Sequence, residues 1–351
     1  MIRTLSLRPL NGYLNTHYFN SKPCRGGQFV MGCGAIFMIQ RVRDAEASLT
    51  ASSIAEETDT TLLREMLSLI TLQKLDIIPL KDAPQRLAEG NYERRFVCFT
   101  FDGAYRSVLE TVQPLFSSYK APYTVYAGSD FLKRDRLPGW MALETLVRGV
   151  DRIVPMIDGL PLSIPNRTPQ EKREAYQTIA EQLAPYDTEE RTRILHNECE
   201  RHDINITAQA EKELLSAAEL KTLAEDPLVT IGSHAGGIAP LREQNYDDAK
   251  ENISQSLDAL EEALGERPRH MAFPGGHSSH VSVRDIKIAA DLGLETAVTG
   301  LEGALWPENA ETTCALPRIA LSNDPATLTR VLMLGDTQME GEITAVGRKI
   351  A

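Results

Sequence analysis

No Cys-x-x-Cys pair occurs in this 351-residue sequence. Its five cysteines, Cys24, Cys33, Cys98, Cys199 and Cys314, are scattered and odd in number. That pattern argues against a disulfide framework and for reduced thiols. There is also no block of Lys or Arg. With 37 basic and 49 acidic side chains the net charge is −12, which disfavours nucleic acid or an anionic membrane as the main partner. No apolar run is long enough to span a bilayer, since the most apolar stretch, 29–39, is short and contains Gly32 and Gly34. Met1 to Pro9 holds no apolar segment of the kind a cleavable signal peptide needs. These absences read together as a cytoplasmic chain with no transmembrane segment. Histidine is scarce, with seven in all and none beyond His280.

What is present is an ordinary globular composition, 42% hydrophobic and 25% charged, enough for a sizeable core. Strand and helix signals alternate. Residues 35–39, 76–80, 96–101, 123–127, 228–231, 271–273, 296–298 and 318–321 read as strands. Helical spacing marks 61–73, 83–89, 108–115, about 247–264, 284–292 and 326–334. About seven strands in this alternation imply an α/β fold with a parallel barrel, with an open doubly wound sheet as the alternative. The rhythm breaks over 135–226, which reads as a mainly helical insertion within one domain spanning 1–351. It carries helices over 168–184 and 187–201, separated by Pro185, and a hairpin turning at Asp158-Gly159.

Asp102 ends the apolar run Phe96-Val97-Cys98-Phe99, a placement typical of an active-site loop at the carboxyl edge of a barrel strand. A carboxylate capping the next helix is the plainer reading. His234 follows a second strand. As a lone histidine it is most simply a hydrogen-bonded core or loop residue. Pro274-Gly275-Gly276 is a turn signal requiring positive φ. His277-Ser278-Ser279-His280 reads as a polar loop and helix start, or as two histidines spaced for chelation. Tyr105, Trp140 and Trp306 offer aromatic faces for sugar stacking or for packing.

The segment Thr100-Phe101-Asp102-Gly103-Ala104-Tyr105-Arg106-Ser107 resembles the Thr-Phe-Asp-Asp-Gly-Tyr signature of the polysaccharide deacetylase (NodB-homology) family, with Gly103 in place of the second Asp. Ile231-Gly232-Ser233-His234 is similar to the family's second motif, in which two histidines sit four apart. Here Ile238 stands at the partner position. Phe273-Pro274-Gly275-Gly276 resembles the third motif. Leu316-Pro317-Arg318-Ile319 is similar to a late strand of bacterial members, and Ile39-Gln40-Arg41-Val42 sits where many have Tyr-His-Arg-Val. The likeness runs over roughly 30–335.

The resemblance implies a NodB-type distorted (β/α) barrel of about seven parallel strands and hydrolytic removal of acetyl groups from an oligo- or polysaccharide. The family activity uses a divalent metal, usually zinc, that polarises the acetyl carbonyl and activates water. Carried over residue by residue, Asp102 matches the general base and His234 the first metal histidine. Gly275 keeps the backbone N–H of the oxyanion position. Tyr105, Arg106, Phe273, Pro274 and Arg318, within the matched motifs, and Trp140, outside them and for its aromatic face alone, are the candidate substrate-binding residues. Gly103 has no ligand atom at the metal-Asp position, and Ile238 has none at the second histidine. His277 or His280 is a substitute ligand if the loop folds toward His234. The family's late general-acid histidine has no counterpart. Metal binding is therefore expected to be weak or absent. A catalytically inactive saccharide-binding or regulatory protein on the same fold stands as the alternative, and a metal-independent esterase using Asp102 as a third reading.

Overall fold

The structure is a computed structural model and describes residues 32–43, 57–90, 94–134, 137–236 and 240–321. The helix expected over 326–334, Ile238 and Cys24 lie outside the described residues. In chain order the elements are β1 (Gly34–Ile39), β2 (Arg41–Arg43), β3 (Glu57–Asp59), α1 (Thr60–Leu72), β4 (Asp76–Ile77), α2 (Ala83–Glu89) and β5 (Phe96–Asp102). A π-helical turn, Val108–Val112, leads into α3 (Gln113–Tyr119), β6 (Tyr123–Ala127) and α4 (Ser129–Lys133). The segment that breaks the rhythm holds α5 (Gly139–Gly149), four two-residue strands, β7 (Arg152–Ile153), β8 (Met156–Ile157), β9 (Leu160–Pro161) and β10 (Ile164–Pro165), then α6 (Pro169–Leu183), α7 (Thr188–Arg201), α8 (Ile206–Glu213) and α9 (Ala217–Ala224). The chain resumes with β11 (Val229–Ser233), α10 (Tyr246–Leu264), β12 (His270–Ala272), α11 (Val283–Asp291), β13 (Thr296–Glu302) and β14 (Leu316–Ala320).

Seven parallel strands close on themselves in the order β1, β14, β13, β12, β11, β6, β5, and β4 pairs along β5 as an eighth. Closure comes from β1, which pairs in parallel with β14 on one side and with β5 on the other. That double pairing excludes the open sheet. Successive side chains on a strand face opposite ways, and the sequence is apolar at both parities because both faces are covered. Ile36, Cys98, Tyr126, Ala272, Val298 and Leu316, each from a different strand, meet in one buried cluster inside the barrel. Phe37, Phe99 and Phe101 pack outward with Leu63, Met66 and Leu67 of α1. Gly232 on β11 lets the barrel close there: a Cβ would lie 2.6 Å from the Tyr126 ring.

Local signals explain most boundaries. Asp59 caps α1, accepting from the Thr61 N–H, and Leu63, Met66, Leu67 and Ile70 form its buried stripe. Thr168 and Glu171 form a reciprocal capping box at α6. Asp187 caps α7. Gly265 takes φ 85° at the end of α10. In the hairpin, Asp158 and Gly159 adopt φ 51° and 76°, as a two-residue turn of the primed kind requires. The strand expected over 76–80 is shorter, because Pro79 follows two residues of ladder and a 3₁₀ turn begins at Leu80. The helices α5–α8 build a second apolar cluster around Leu146, Ile153, Ile179, Leu195 and Cys199, and this cluster sits against the barrel through Tyr105 and Phe131.

Candidate functional site

Between the carboxyl ends of the barrel strands and α5–α7 lies a cavity of about 490 Å³. Asp102, Gly103, Tyr105, Trp140, His234, Pro274, Gly275, His277, His280 and Arg318 all border it. Two of the residues assigned to substrate do not. Phe273 is 1% exposed and packs with Met271, Ile253 and Leu257 between sheet and helices. Arg106 points to the other side of its loop, where it pairs with Glu219 and donates to the carbonyls of Glu211, Lys212 and Leu214. Its guanidinium anchors the end of α8 to α9, so its charge is spent on chain rather than on ligand.

Asp102 is buried at the end of β5. Arg318 on β14 donates to it from both terminal nitrogens, Nη1 to Oδ1 and Nη2 to Oδ2, each at 2.7 Å. The same guanidinium donates from Nε to the Thr299 carbonyl at 2.8 Å and from Nη1 to Thr100 Oγ1 at 3.1 Å. Arg318 is 2% exposed. It borders the cavity, but its donors are engaged by the barrel. Burial pushes the Asp102 carboxyl up. Arg318, followed by His234, outweighs that and holds it well below the usual carboxylate range. His234 follows β11, its backbone N–H donating to Ala127 O at 2.9 Å. Its Nε2 lies 3.7 Å from Asp102 Oδ2, while Nδ1 is buried without a hydrogen-bond partner.

The loop after Asp102 is shaped around Tyr105. Gly103 has φ 102°, Ala104 φ 48°, and a Cβ on Gly103 would lie 2.7 Å from the Tyr105 ring. Tyr105 faces the Arg41 guanidinium at 5.1 Å and the Trp140 ring at 6.3 Å. On the opposite rim, Gly275 and Gly276 take φ 67° and 62°, and a Cβ at Gly275 would strike His280 Nδ1 at 2.3 Å. The rings of His277 and His280 are 5.9 Å apart. Burial, reinforced by His277, lowers the His280 pKa, so near neutral pH it is an uncharged imidazole.

Sequence reasoning missed a buried ionic network behind the aromatic wall. Arg41 pairs with Glu144 and, at 2.7 Å, with Glu213. Arg43 reaches Glu57 and Glu213, and Arg148 reaches Glu57 and Glu144. Three arginines and three glutamates thus tie β2 and β3 to α5 and α8. The signal was present in Gln40-Arg41-Val42, but its partners lie far along the chain.

A protein-held zinc ion needs three or four donors. Among the described residues no three His, Cys, Asp or Glu side chains converge to hold a metal ion. Asp102 and His234 approach each other, yet both carboxylate oxygens already accept from Arg318. The donor set of the described residues does not fit a zinc ion.

The polysaccharide deacetylase family model matches residues 168–297, a span that includes His234 and the Pro274-Gly275-Gly276 turn. The matched span, less than half of the chain, is similar to the polysaccharide deacetylase family. Its fold is similar to that of a Streptococcus pyogenes deacetylase, PplD, solved in complex with acetate (14% identity, TM-score 0.54, covering 85% of this chain and 96% of that one). It is likewise similar to IcaB from Ammonifex degensii (12% identity, TM-score 0.52, 88% and 98% covered), and to a de-N-acetylase from Aggregatibacter actinomycetemcomitans (12% identity, TM-score 0.50, 85% and 99% covered). At these identities the structural likeness speaks to the fold. No curated protein sequence matches this chain.

Proposed function

We propose that this deacetylase-type barrel binds an acylated saccharide in its cavity and does not carry out the family's metal-dependent hydrolysis. The observation that carries the proposal is the two-pronged grip of Arg318 on Asp102. A general base works best with a pKa near the operating pH. Asp102 is held far below that, and accepting a proton would break a buried, charge-assisted pair. The positions that would complete a metal site by resemblance are Gly103 and Ile238, neither with a ligand atom. What the cavity retains suits recognition: Trp140 and Tyr105 as aromatic faces, and the Gly275 turn with its backbone N–H beside the position an acyl oxygen would take.

The test is direct. Purified protein is loaded with zinc, cobalt or nickel and dialysed, and bound metal is counted by mass spectrometry. Acetate release from acetylated chitooligosaccharides and from an acetyl ester is then followed, alongside calorimetric titration with the same sugars. The expected result is saturable sugar binding with no stoichiometric metal and no acetate release. Stoichiometric metal together with acetate release that disappears in Asp102→Ala would establish a hydrolase instead.

A further inference from the structure

The two sides of the cavity differ in chemistry. The barrel side is polar, with Asp102, His234, His277 and the Gly275 turn. The side built by α5–α7 presents Leu143, Leu183, Leu195, Ala180 and Trp140, together with Phe131 from α4. Most of the polar groups on that second side are engaged by the protein itself, the Tyr176 hydroxyl of α6 being an exception. Thr192 Oγ1 donates to the Thr188 carbonyl at 2.8 Å, and Thr188 Oγ1 to Glu243 at 3.1 Å. Arg191 donates to the Asp187 carbonyl and to Thr188 Oγ1. Glu144 is held by Arg41 and Arg148. Sugar hydroxyls laid against such a wall would lose water and gain few partners, which is costly. Methylene groups laid there would gain by leaving water.

Resting on the reading that the cavity takes a saccharide, we infer that its ligand also bears a hydrophobic chain longer than acetyl. The sugar head lies toward Asp102 and Gly275, and the chain lies along the leucine wall of α5–α7. The chain is an acyl group on the sugar or an alkyl group at its anomeric carbon. Both present the same methylenes to the wall, and two ligand series tell them apart.

The experiment titrates the full-length chain with N-acyl glucosamines of two, four, six and eight acyl carbons. A parallel titration uses methyl, butyl, hexyl and octyl N-acetylglucosaminides, all below their aggregation concentrations. The wall predicts that Kd falls about three- to four-fold per added methylene in one of the two series. Ala180→Trp, at an exposed position of α6 that borders the cavity, fills part of the wall. It should flatten that dependence while leaving the shortest sugar's Kd unchanged. Sugar binding with equal Kd across both series overturns the hydrophobic-chain inference and leaves the saccharide reading standing. Hexanoate or octanoate binding as tightly as the matching acyl sugar overturns both, because no sugar head would then be recognised. An unaltered chain dependence in Ala180→Trp overturns the placement of the chain on α5–α7.

Discussion

Arg318 and Asp102, 216 residues apart in sequence, face each other across the barrel mouth with both carboxylate oxygens accepting at 2.7 Å. The pair joins the end of β5 to the middle of β14, two strands that are not neighbours in the sheet. β1 lies between β14 and β5, and Thr100 bridges the gap, donating to Phe37 O at 2.7 Å and accepting from Arg318.

Removing one partner leaves the other buried and unpaired. Arg318→Met should therefore destabilise the fold by roughly 3–5 kcal/mol, and Arg318→Met with Asp102→Asn should recover part of that loss. Urea unfolding midpoints measure both. A single variant with the wild-type midpoint would show the pair to be dispensable.

Asp102 titrates at a lower pH in the folded chain than in the unfolded chain. Its contribution to stability is thus fully present above the unfolded carboxyl pKa of about 3.9 and is lost as pH falls toward the folded value. Stability attributable to this group should be flat from pH 5 to 8 and decline below about pH 4. Asp102→Asn should have a shallower acid limb in urea unfolding than the wild type. Parallel limbs would mean that Asp102 titrates alike in both states.

Writing the family's second aspartate back into the loop should not restore a metal site. Gly103 sits at φ 102°, where an L side chain is strained, and its Cβ would meet the Tyr105 ring at 2.7 Å. Gly103→Asp is expected to cost about 1–3 kcal/mol and to leave zinc content unchanged. Thermal unfolding and metal counting read the two effects separately. Stoichiometric zinc in this variant would show that the loop relaxes to accept the ligand.

Arg41 holds the aromatic wall in place. Arg41→Met should leave Glu144 without one of its two cations, destabilise by about 3 kcal/mol or more, and let Trp140 move toward water. The expected signature is a red-shifted Trp fluorescence and faster proteolytic cleavage within 137–216. An unshifted spectrum would mean that packing alone orders Trp140.

Local physics explains what could be read early. Asp102 at the end of an apolar strand, the caps at Thr168 and Asp187, and the Asp158-Gly159 turn all depend on neighbours within a few residues. The alternation of strands and helices likewise pointed to the barrel. That alternation alone leaves the open sheet as an alternative, because closure depends on β1 finding both β5 and β14. Arg106 looked like a ligand contact because it follows the motif, yet its partner Glu219 lies 113 residues away. Arg318 was visible as part of a late strand, but no local rule reveals that its charge is consumed by Asp102. Long-range ionic partners leave almost no trace in a single sequence.

Barrel closure also has a temporal side. The strand that seals the ring is among the last of the described residues to be made, and it carries the only guanidinium paired with Asp102 among those residues. At about 5–20 residues per second, a ribosome adds Arg318 roughly 10–40 s after Asp102. Until β14 is made, β1 has β5 as its only ring partner and the seven-stranded ring lacks one member. Over the same interval Asp102 lacks the guanidinium that pairs with it in the folded chain. Sealing the ring and quenching that charge become one event, so an emerging chain stalled before residue 316 should remain a client for chaperones, whatever its helices have already done.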